Sequence, residues 1–177
     1  MHRLFIAIRP PETIRDLLID AMDETPDFRW QTDEQLHLTL RFIGEVDRPI
    51  GDDLADALGR IQAGGFQIRI KGVGRFEQRS AGALWAGVET REPIAALAAK
   101  IERTCQSVGL EPERRAFHPH ITLARWKGRR TREAERFLER RGGLVSEPFT
   151  VDSFSLFESH LSRHGAYYEE VVSYCLR

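Results

Sequence analysis

His37-Leu38-Thr39-Leu40 recurs in the second half of the chain as His120-Ile121-Thr122-Leu123, the same pattern of histidine, apolar residue, threonine and apolar residue. Both tetrapeptides lie in runs rich in β-branched and apolar residues, which predicts a β-strand for each. Side chains alternate between the two faces of a strand, so each histidine shares a face with its own threonine. The sequence therefore predicts two strands that each offer an imidazole beside a hydroxyl.

The elements around the two motifs follow a similar order in each half of the chain. The first half predicts β-α-β-α-β-β, with a loop over residues 76–82, and the second half predicts roughly α-β-α-β-β. This repetition predicts an α+β fold of two pseudo-symmetric lobes, each an antiparallel-rich sheet with helices on the outside. We expect the active cleft between the lobes, and a single bilobal domain over residues 1–177 because no linker-like stretch separates them.

The composition is that of a globular protein, with 41% hydrophobic and 30% charged residues and a formal net charge of −1. This charge argues against a protein that coats nucleic acid and favours recognition of a small substrate or a nucleic-acid end by a local patch. No apolar run approaches the ~20 residues of a membrane span. Cys105 and Cys175 form no disulfide framework and no CxxC motif, so we expect a cytoplasmic protein.

Two histidines facing one another across a cleft can divide the work of general acid-base catalysis. An ordinary histidine pKa near ~6.5 lets one imidazole accept a proton while the other donates one. His37 and His120 are therefore the predicted catalytic residues. The hydroxyls of Thr39 and Thr122, on the same faces, are suited to bind phosphoryl oxygens. This chemistry requires no metal and no cofactor.

Two arginines follow the motifs and could bind a phosphate. By strand alternation Arg41 shares the face of the first histidine, and a surface arginine is the alternative interpretation. Arg125 is one position out of phase with the second histidine, so it reaches the cleft only if the strand ends or twists there. We expect both arginines at the substrate.

Three alternatives remain open for the same residues. His118 and His120 share a face and could join His37 in a three-histidine zinc site, although no acidic residue in the motifs would orient the ligands. Thr39 or Thr122 could act as a nucleophile, although the second motif would then be redundant. The cleft could also belong to a non-catalytic module that binds RNA ends or nucleotides.

Longer stretches around the motifs resemble the two-histidine phosphoesterase superfamily. HLTLRFIG at residues 37–44 and FHPHITLAR at residues 117–125 resemble, within it, the bacterial and archaeal RNA 2',3'-cyclic phosphodiesterases, also called 2'-5' RNA ligases. Further similar stretches lie at residues 5–8, 29–30, 84–88, 156–159 and 165–168. The resemblance implies that His37 and His120 are the catalytic pair, that Thr39 and Thr122 bind phosphate, and that Arg125 contacts the substrate. His118 falls at a variable position of the family pattern.

The resemblance also implies the reaction. A 2',3'-cyclic phosphate is strained, so its hydrolysis needs only a base for the attacking water and an acid for the departing ribose oxygen. The expected product is a 2'-phosphate end, and the reverse reaction would join RNA ends through a 2'-5' bond. The partners would be RNA ends or nucleotides with a 2',3'-cyclic phosphate, and the protein would be a monomer with no obligate protein partner. We expect His37 to be the acid and His120 the base.

Overall fold

A computed structural model describes residues 1–89 and 91–177. The strands are β1 (His2–Ile8), β2 (Arg29–Trp30), β3 (Leu38–Val46), β4 (Phe66–Gln78), β5 (Ala81–Glu89), β6 (His120–Lys127), β7 (Phe149–Val151), β8 (Ser153–Ser162) and β9 (Gly165–Cys175). The helices are α1 (Glu12–Ala21), α2 (Arg48–Leu58), α3 (Arg91–Ser107) and α4 (Thr131–Arg141), with a 3-10 turn at Asp33–Gln35. No helix in the described ranges has the length and apolarity needed to cross a membrane.

The strands form one antiparallel sheet in the order β7-β4-β5-β6-β3-β1-β8-β9, and β2 pairs with β6. The sheet divides into two halves of four strands, β6-β5-β4-β7 and β3-β1-β8-β9, which meet where β3 pairs with β6. Helices α2 and α3 pack beside the half that contains β3, and α4 packs against β4 in the other half. The predicted α+β fold with two antiparallel-rich lobes is therefore confirmed.

Each lobe combines strands from both halves of the chain, although the element order repeats from one half of the sequence to the other. Strand β1 explains this exchange, because five consecutive residues from Leu4 to Ile8 are buried on both of its faces. A strand buried in this way needs a neighbour on each side. It pairs with β3 on one edge and with β8 on the other, which places the β8–β9 hairpin in the lobe of the first histidine strand.

The two faces of the sheet carry different side chains. The apolar residues of both motifs lie in the main core: Leu38, Leu40, Ile121 and Leu123. The histidines and threonines of the motifs are partly buried on the other face. On that face Phe5, Ala7 and Phe157 form a second, smaller cluster with Tyr168. The alternation predicted from the sequence is thus present in both motif strands.

The expected loop over residues 76–82 is instead a hairpin, because β4 continues to Gln78 and β5 begins at Ala81. Glycine here permits close packing rather than loosening the strand. A Cβ atom at Gly74 would lie 2.2 Å from Cζ2 of Trp85, and one at Gly82 would lie 2.1 Å from Cζ2 of Trp126. Both indole rings therefore lie directly on a strand backbone.

Candidate active site

The two motif strands meet at one residue pair, Leu38 of β3 and Ile121 of β6. The strands are antiparallel, so the positions on either side of this pair are also matched: each histidine lies opposite the threonine of the other motif. Residues directly opposite one another on a shared face have Cβ atoms about 5 Å apart. The structure therefore brings both histidines and both threonines together on one face, where the two lobes join.

The His37 ring is held by two hydrogen bonds and two aromatic rings. Its Nδ1 lies 2.7 Å from the backbone oxygen of Gln35, and its Nε2 lies 3.0 Å from Oγ1 of Thr39. A carbonyl oxygen only accepts, so Nδ1 carries the proton in neutral His37 and Nε2 accepts from the threonine hydroxyl. Phe5 and Tyr168 pack against the ring at centroid distances of 4.9 and 5.2 Å. Nε2 is consequently the nitrogen available for proton transfer.

His120 is held in a corresponding way in the other lobe. Its Nδ1 lies 2.5 Å from the backbone oxygen of His118, two positions earlier, just as His37 uses the carbonyl two positions earlier in its strand. Phe76 packs edge-on against the His120 ring at 4.9 Å, and the Trp85 ring lies 6.1 Å away. The carbonyl fixes the same tautomer, so Nε2 is again the free nitrogen.

Burial lowers the pKa of both histidines. The pKa of His37 falls to about 4, because burial disfavours the charged imidazole and because positive charges at Arg125, His120 and Arg9 repel its proton. Burial also lowers the pKa of His120, with a further contribution from the charges of His118 and Arg125. Both imidazoles are therefore neutral at neutral pH in the protein alone. A phosphate anion between them would favour the charged form.

Arg125 reaches this site because β6 contains a bulge. Thr122 and Ala124 pair with consecutive residues of β5, so Leu123 is an extra residue in the ladder. An extra residue reverses the alternation of the side chains that follow it. Arg125 consequently lies on the exposed histidine face, and its charge acts on both imidazoles. The sequence had placed Arg125 out of phase with its histidine.

A matching bulge lies at Leu40, which is an extra residue where β3 pairs with β1. This bulge turns Arg41 away from the face that carries His37. The Arg41 side chain is only 11% exposed. Its Nε donates to Glu102 at 2.6 Å, Nη1 to the backbone oxygen of Phe42 at 2.8 Å and Nη2 to that of Glu111 at 2.6 Å. Nε and Nη2 thus hold α3 and the loop after it, while Nη1 bonds within β3. The expectation that Arg41 binds the phosphate is corrected accordingly.

The structure does not favour the three-histidine zinc site. In the described ranges, the group whose potential metal-ligand atoms lie within 4.8 Å of one another is Glu158, His160 and Glu169. This group lies on β8 and β9 and includes no residue of either motif. The His37, His118 and His120 imidazoles do not form such a group.

Sequence reasoning missed the rings that enclose the histidines. Phe5 and Tyr168 flank one histidine, and Phe76 and Trp85 flank the other. These residues lie on four different strands, so their convergence depends on the strand order. The signal available in the sequence was the resemblance of the stretches around Phe5, Trp85 and Tyr168 to family members, which indicates importance without assigning a position.

Comparison with known proteins agrees with this geometry. The family model of the 2'-5' RNA ligase superfamily matches residues 8–163. The RNA 2',3'-cyclic phosphodiesterase of Aeropyrum pernix is 36% identical over 140 residues, which cover 77% of this chain and 80% of that protein. The Thermus thermophilus protein of the same name is 33% identical over 187 aligned positions, covering 99% of this chain and 90% of that protein.

Solved structures give the same result for the fold. The crystal structure of Escherichia coli LigT complexed with 3'-AMP matches with a TM-score of 0.82 and 27% sequence identity, covering 99% of this chain and 98% of that one. Fold and paired motifs together define a two-histidine phosphoesterase. The chain belongs to the 2'-5' RNA ligase superfamily.

Proposed function

We propose that the protein hydrolyses RNA 2',3'-cyclic phosphate ends to 2'-phosphate ends without a metal, by acid-base catalysis between His37 and His120. One observation carries this proposal: both rings have Nδ1 bound to a backbone carbonyl, on two strands that meet at the lobe junction. This leaves the two Nε2 atoms, which no backbone group occupies, for the proton transfers on opposite sides of one phosphorus. The names of the relatives support the choice of substrate.

The hydroxyls of Thr39 and Thr122 hold the phosphoryl oxygens in this proposal, and Arg125 neutralises their charge. One histidine takes a proton from the attacking water, and the other gives a proton to the 3'-oxygen as its bond to phosphorus breaks. The single product then carries a 2'-phosphate and a free 3'-hydroxyl on the same ribose. If the 5'-hydroxyl of a second RNA takes the place of the attacking water, the same groups would form a 2'-5' bond from the cyclic phosphate and release the 3'-oxygen as a hydroxyl.

The acid and base roles follow from the pKa that each imidazole has once the phosphate is bound. The expectation from the sequence assigns the acid to His37, but a pKa of about 4 favours the neutral ring, which suits the base. His37 can serve as the acid only if the bound phosphate raises its pKa. Substrates with different leaving groups distinguish the two assignments.

Turnover of a 2',3'-cyclic nucleotide by chelator-treated protein tests the proposal directly. We expect hydrolysis to continue in the chelator and the product to be a 2'-phosphate, identified by chromatography against both phosphate isomers. Activity lost in the chelator and restored by zinc would contradict the metal-free mechanism. Binding of the nucleotide without turnover would instead indicate a non-catalytic module.

We further propose that residues 1–177 act as one bilobal domain, as a monomer in the cytoplasm. The catalytic pair comes from two adjacent strands of the same sheet, which supports a site complete within one chain. Cys105 is buried and Cys175 exposed, both as free thiols, which suits a reducing compartment. Sedimentation of the active protein at one monomer mass would support this arrangement.

A further inference from the structure

Three cations lie beside the catalytic pair on the same face of the sheet: Arg29 of β2, and Arg125 and Lys127 of β6. We call them the cationic row. Arg29 pairs in register with Arg125, and Lys127 follows Arg125 by two positions on the same side of β6. All three side chains are exposed, while Trp126 between the two β6 cations is buried on the other face.

The cationic row carries charge that the protein itself does not neutralise. Like charges directly opposite one another across two strands are destabilising. The residues that β5 places beside Arg125 and Lys127 are Ala83 and Ala81, which supply no acid. Over residues 1–89 and 91–177, no member of the row makes an ion pair or a side-chain hydrogen bond. Some arginines elsewhere in the chain are paired with carboxylates, as Arg41 is with Glu102.

The direction of the row follows from β6. His120 and Thr122 are at the start of the strand, and Arg125 and Lys127 follow on the same face beyond the bulge at Leu123. Two residues advance a strand by about 7 Å. The row therefore begins at the catalytic phosphate and continues away from it as spaced positive charges along one edge of the cleft.

We propose that the cationic row binds the backbone phosphates that precede the cyclic end of a single-stranded RNA, with Arg125 at the terminal phosphate and Arg29 and Lys127 at the phosphates before it. This inference rests on the proposed function, because the cyclic phosphate is a 3'-terminal group and every other phosphate lies on its 5' side. Spaced cations without base contacts bind single strands through the backbone, largely independently of sequence. The protein thus selects RNA ends over mononucleotides.

Matched substrates and variants test this proposal. The substrates are a 2',3'-cyclic mononucleotide and a tetranucleotide with the same cyclic end. The variants are Arg29→Ala, Lys127→Ala and the double substitution, with Arg48→Ala as the control because Arg48 is 83% exposed on α2 and pairs with Asp52. Arg125 is left unchanged because it contacts the reacting phosphate in the proposed mechanism.

We expect the double variant to lower kcat/KM for the tetranucleotide by about 10-fold or more and to leave the mononucleotide within about 2-fold. The association constant of the tetranucleotide should also depend less on salt in the double variant. The plot of its logarithm against log salt should become less steep by about 1.4, since each single-strand phosphate contact contributes about 0.7. Equal losses on both substrates, or no loss on either, would overturn the proposal.

Equilibrium binding separates this inference from the catalytic one. Fluorescence anisotropy with a labelled tetranucleotide that ends in a 3'-phosphate requires no turnover. We expect the double variant to bind about 10-fold or more weakly than the Arg48→Ala control. Unchanged binding overturns the role of the row even in an active enzyme. Weakened binding in a protein that hydrolyses neither substrate would support the row and contradict the proposed function.

Discussion

Leu38 and Ile121 pair across the junction of the two lobes, and both side chains are buried in the main core. The pair lies on the apolar face of the sheet and fixes the register of the two motif strands. On the opposite face, each histidine therefore lies opposite the threonine of the other motif. A slip of one residue would turn every motif side chain to the other face. The site is thus held by the same core that joins the lobes.

The first prediction concerns the two motif histidines and the neighbouring His118. His37→Ala and His120→Ala should each lower kcat by about 10²- to 10⁴-fold, the usual contribution of a general acid or base. His118→Ala should keep most activity, because His118 holds His120 through its backbone oxygen, which the substitution retains. Steady-state turnover, with circular dichroism to confirm folding, measures all three. A His118→Ala variant as inactive as the other two would point back to a metal site.

The second prediction concerns the threonine hydroxyls. Thr39→Val and Thr122→Val keep the β-branched shape and remove only the donor. Each should cost about 1 to 3 kcal/mol of transition-state binding, measured from kcat/KM, with little change in unfolding by urea. Thr39→Val also removes the partner of His37 Nε2, 3.0 Å away. Turnover equal to the unmodified protein in both variants would make the threonines structural.

The sequence predicted the motif geometry better than it predicted the arginines. Alternation alone correctly placed each histidine beside its threonine, because no bulge interrupts residues 37–39 or 120–122. Alternation failed one residue later, at the bulges of Leu40 and Leu123. These bulges place Arg125 on the histidine face and turn Arg41 away from it, the reverse of what alternation predicts. A bulge depends on the neighbouring strand, β1 or β5, and not on the motif strand's own pattern.

The same limit applies to the fold. Element types followed from hydrophobic periodicity, except over residues 76–82, where a hairpin replaces the expected loop. The strand order did not follow, because the β8–β9 hairpin lies beside β1 from the other end of the chain. Strand pairing between residues so distant in sequence depends on which strand faces and edges the other elements leave uncovered. A local sequence pattern does not contain this information.

The third prediction tests the new position of Arg41. Arg41→Ala should lower the free energy of unfolding by about 1 to 3 kcal/mol, because Glu102 and the Glu111 carbonyl lose their donor in a mostly buried place. Turnover by the folded protein should stay within about 2-fold. Arg48→Ala, which removes an exposed pair with Asp52, should change stability by less than about 0.5 kcal/mol. Lost turnover with unchanged stability would restore Arg41 as a phosphate ligand.

The fourth prediction links the His37 pKa to stability. The pKa of His37 is about 4 in the folded protein and near 6.5 when unfolded, so between these values the unfolded chain binds more protons. Stability is therefore lost as the pH falls from 6.5 toward 4. From pH ~7 to pH ~5 this one group should cost about 2 kcal/mol.

Urea unfolding at both pH values measures this loss. His37→Gln removes the titrating group and keeps a polar side chain, so the variant should lose about 2 kcal/mol less than the unmodified protein over the same interval. His120 is present in both proteins, so the difference between them reports His37 together with its coupling to His120. Equal pH dependence in the two proteins would show that His37 is not held neutral by burial.

The last prediction is the pH dependence of turnover, which tests the division of labour between His37 and His120. If one imidazole must be neutral and the other charged, the active form exists only between their two apparent pKa values, so kcat/KM should follow a bell. Both limbs should lie below the ordinary histidine value of ~6.5, because burial lowers the pKa of both rings in the free protein. The bound phosphate stabilises the charged ring, so the basic limb of kcat should lie at higher pH than that of kcat/KM.

The limbs belong to the coupled pair, so assignment to one residue requires variants. Loss of the base should remove the acidic limb, and loss of the acid should remove the basic limb. A nitrophenyl phosphodiester, whose leaving group needs no proton, should restore turnover only to the variant that lacks the acid. Rescue of His37→Ala would assign the acid to His37, and rescue of His120→Ala would assign it to His120. A single sigmoid in the unmodified protein, with rescue of neither variant, would exclude two-histidine acid-base catalysis.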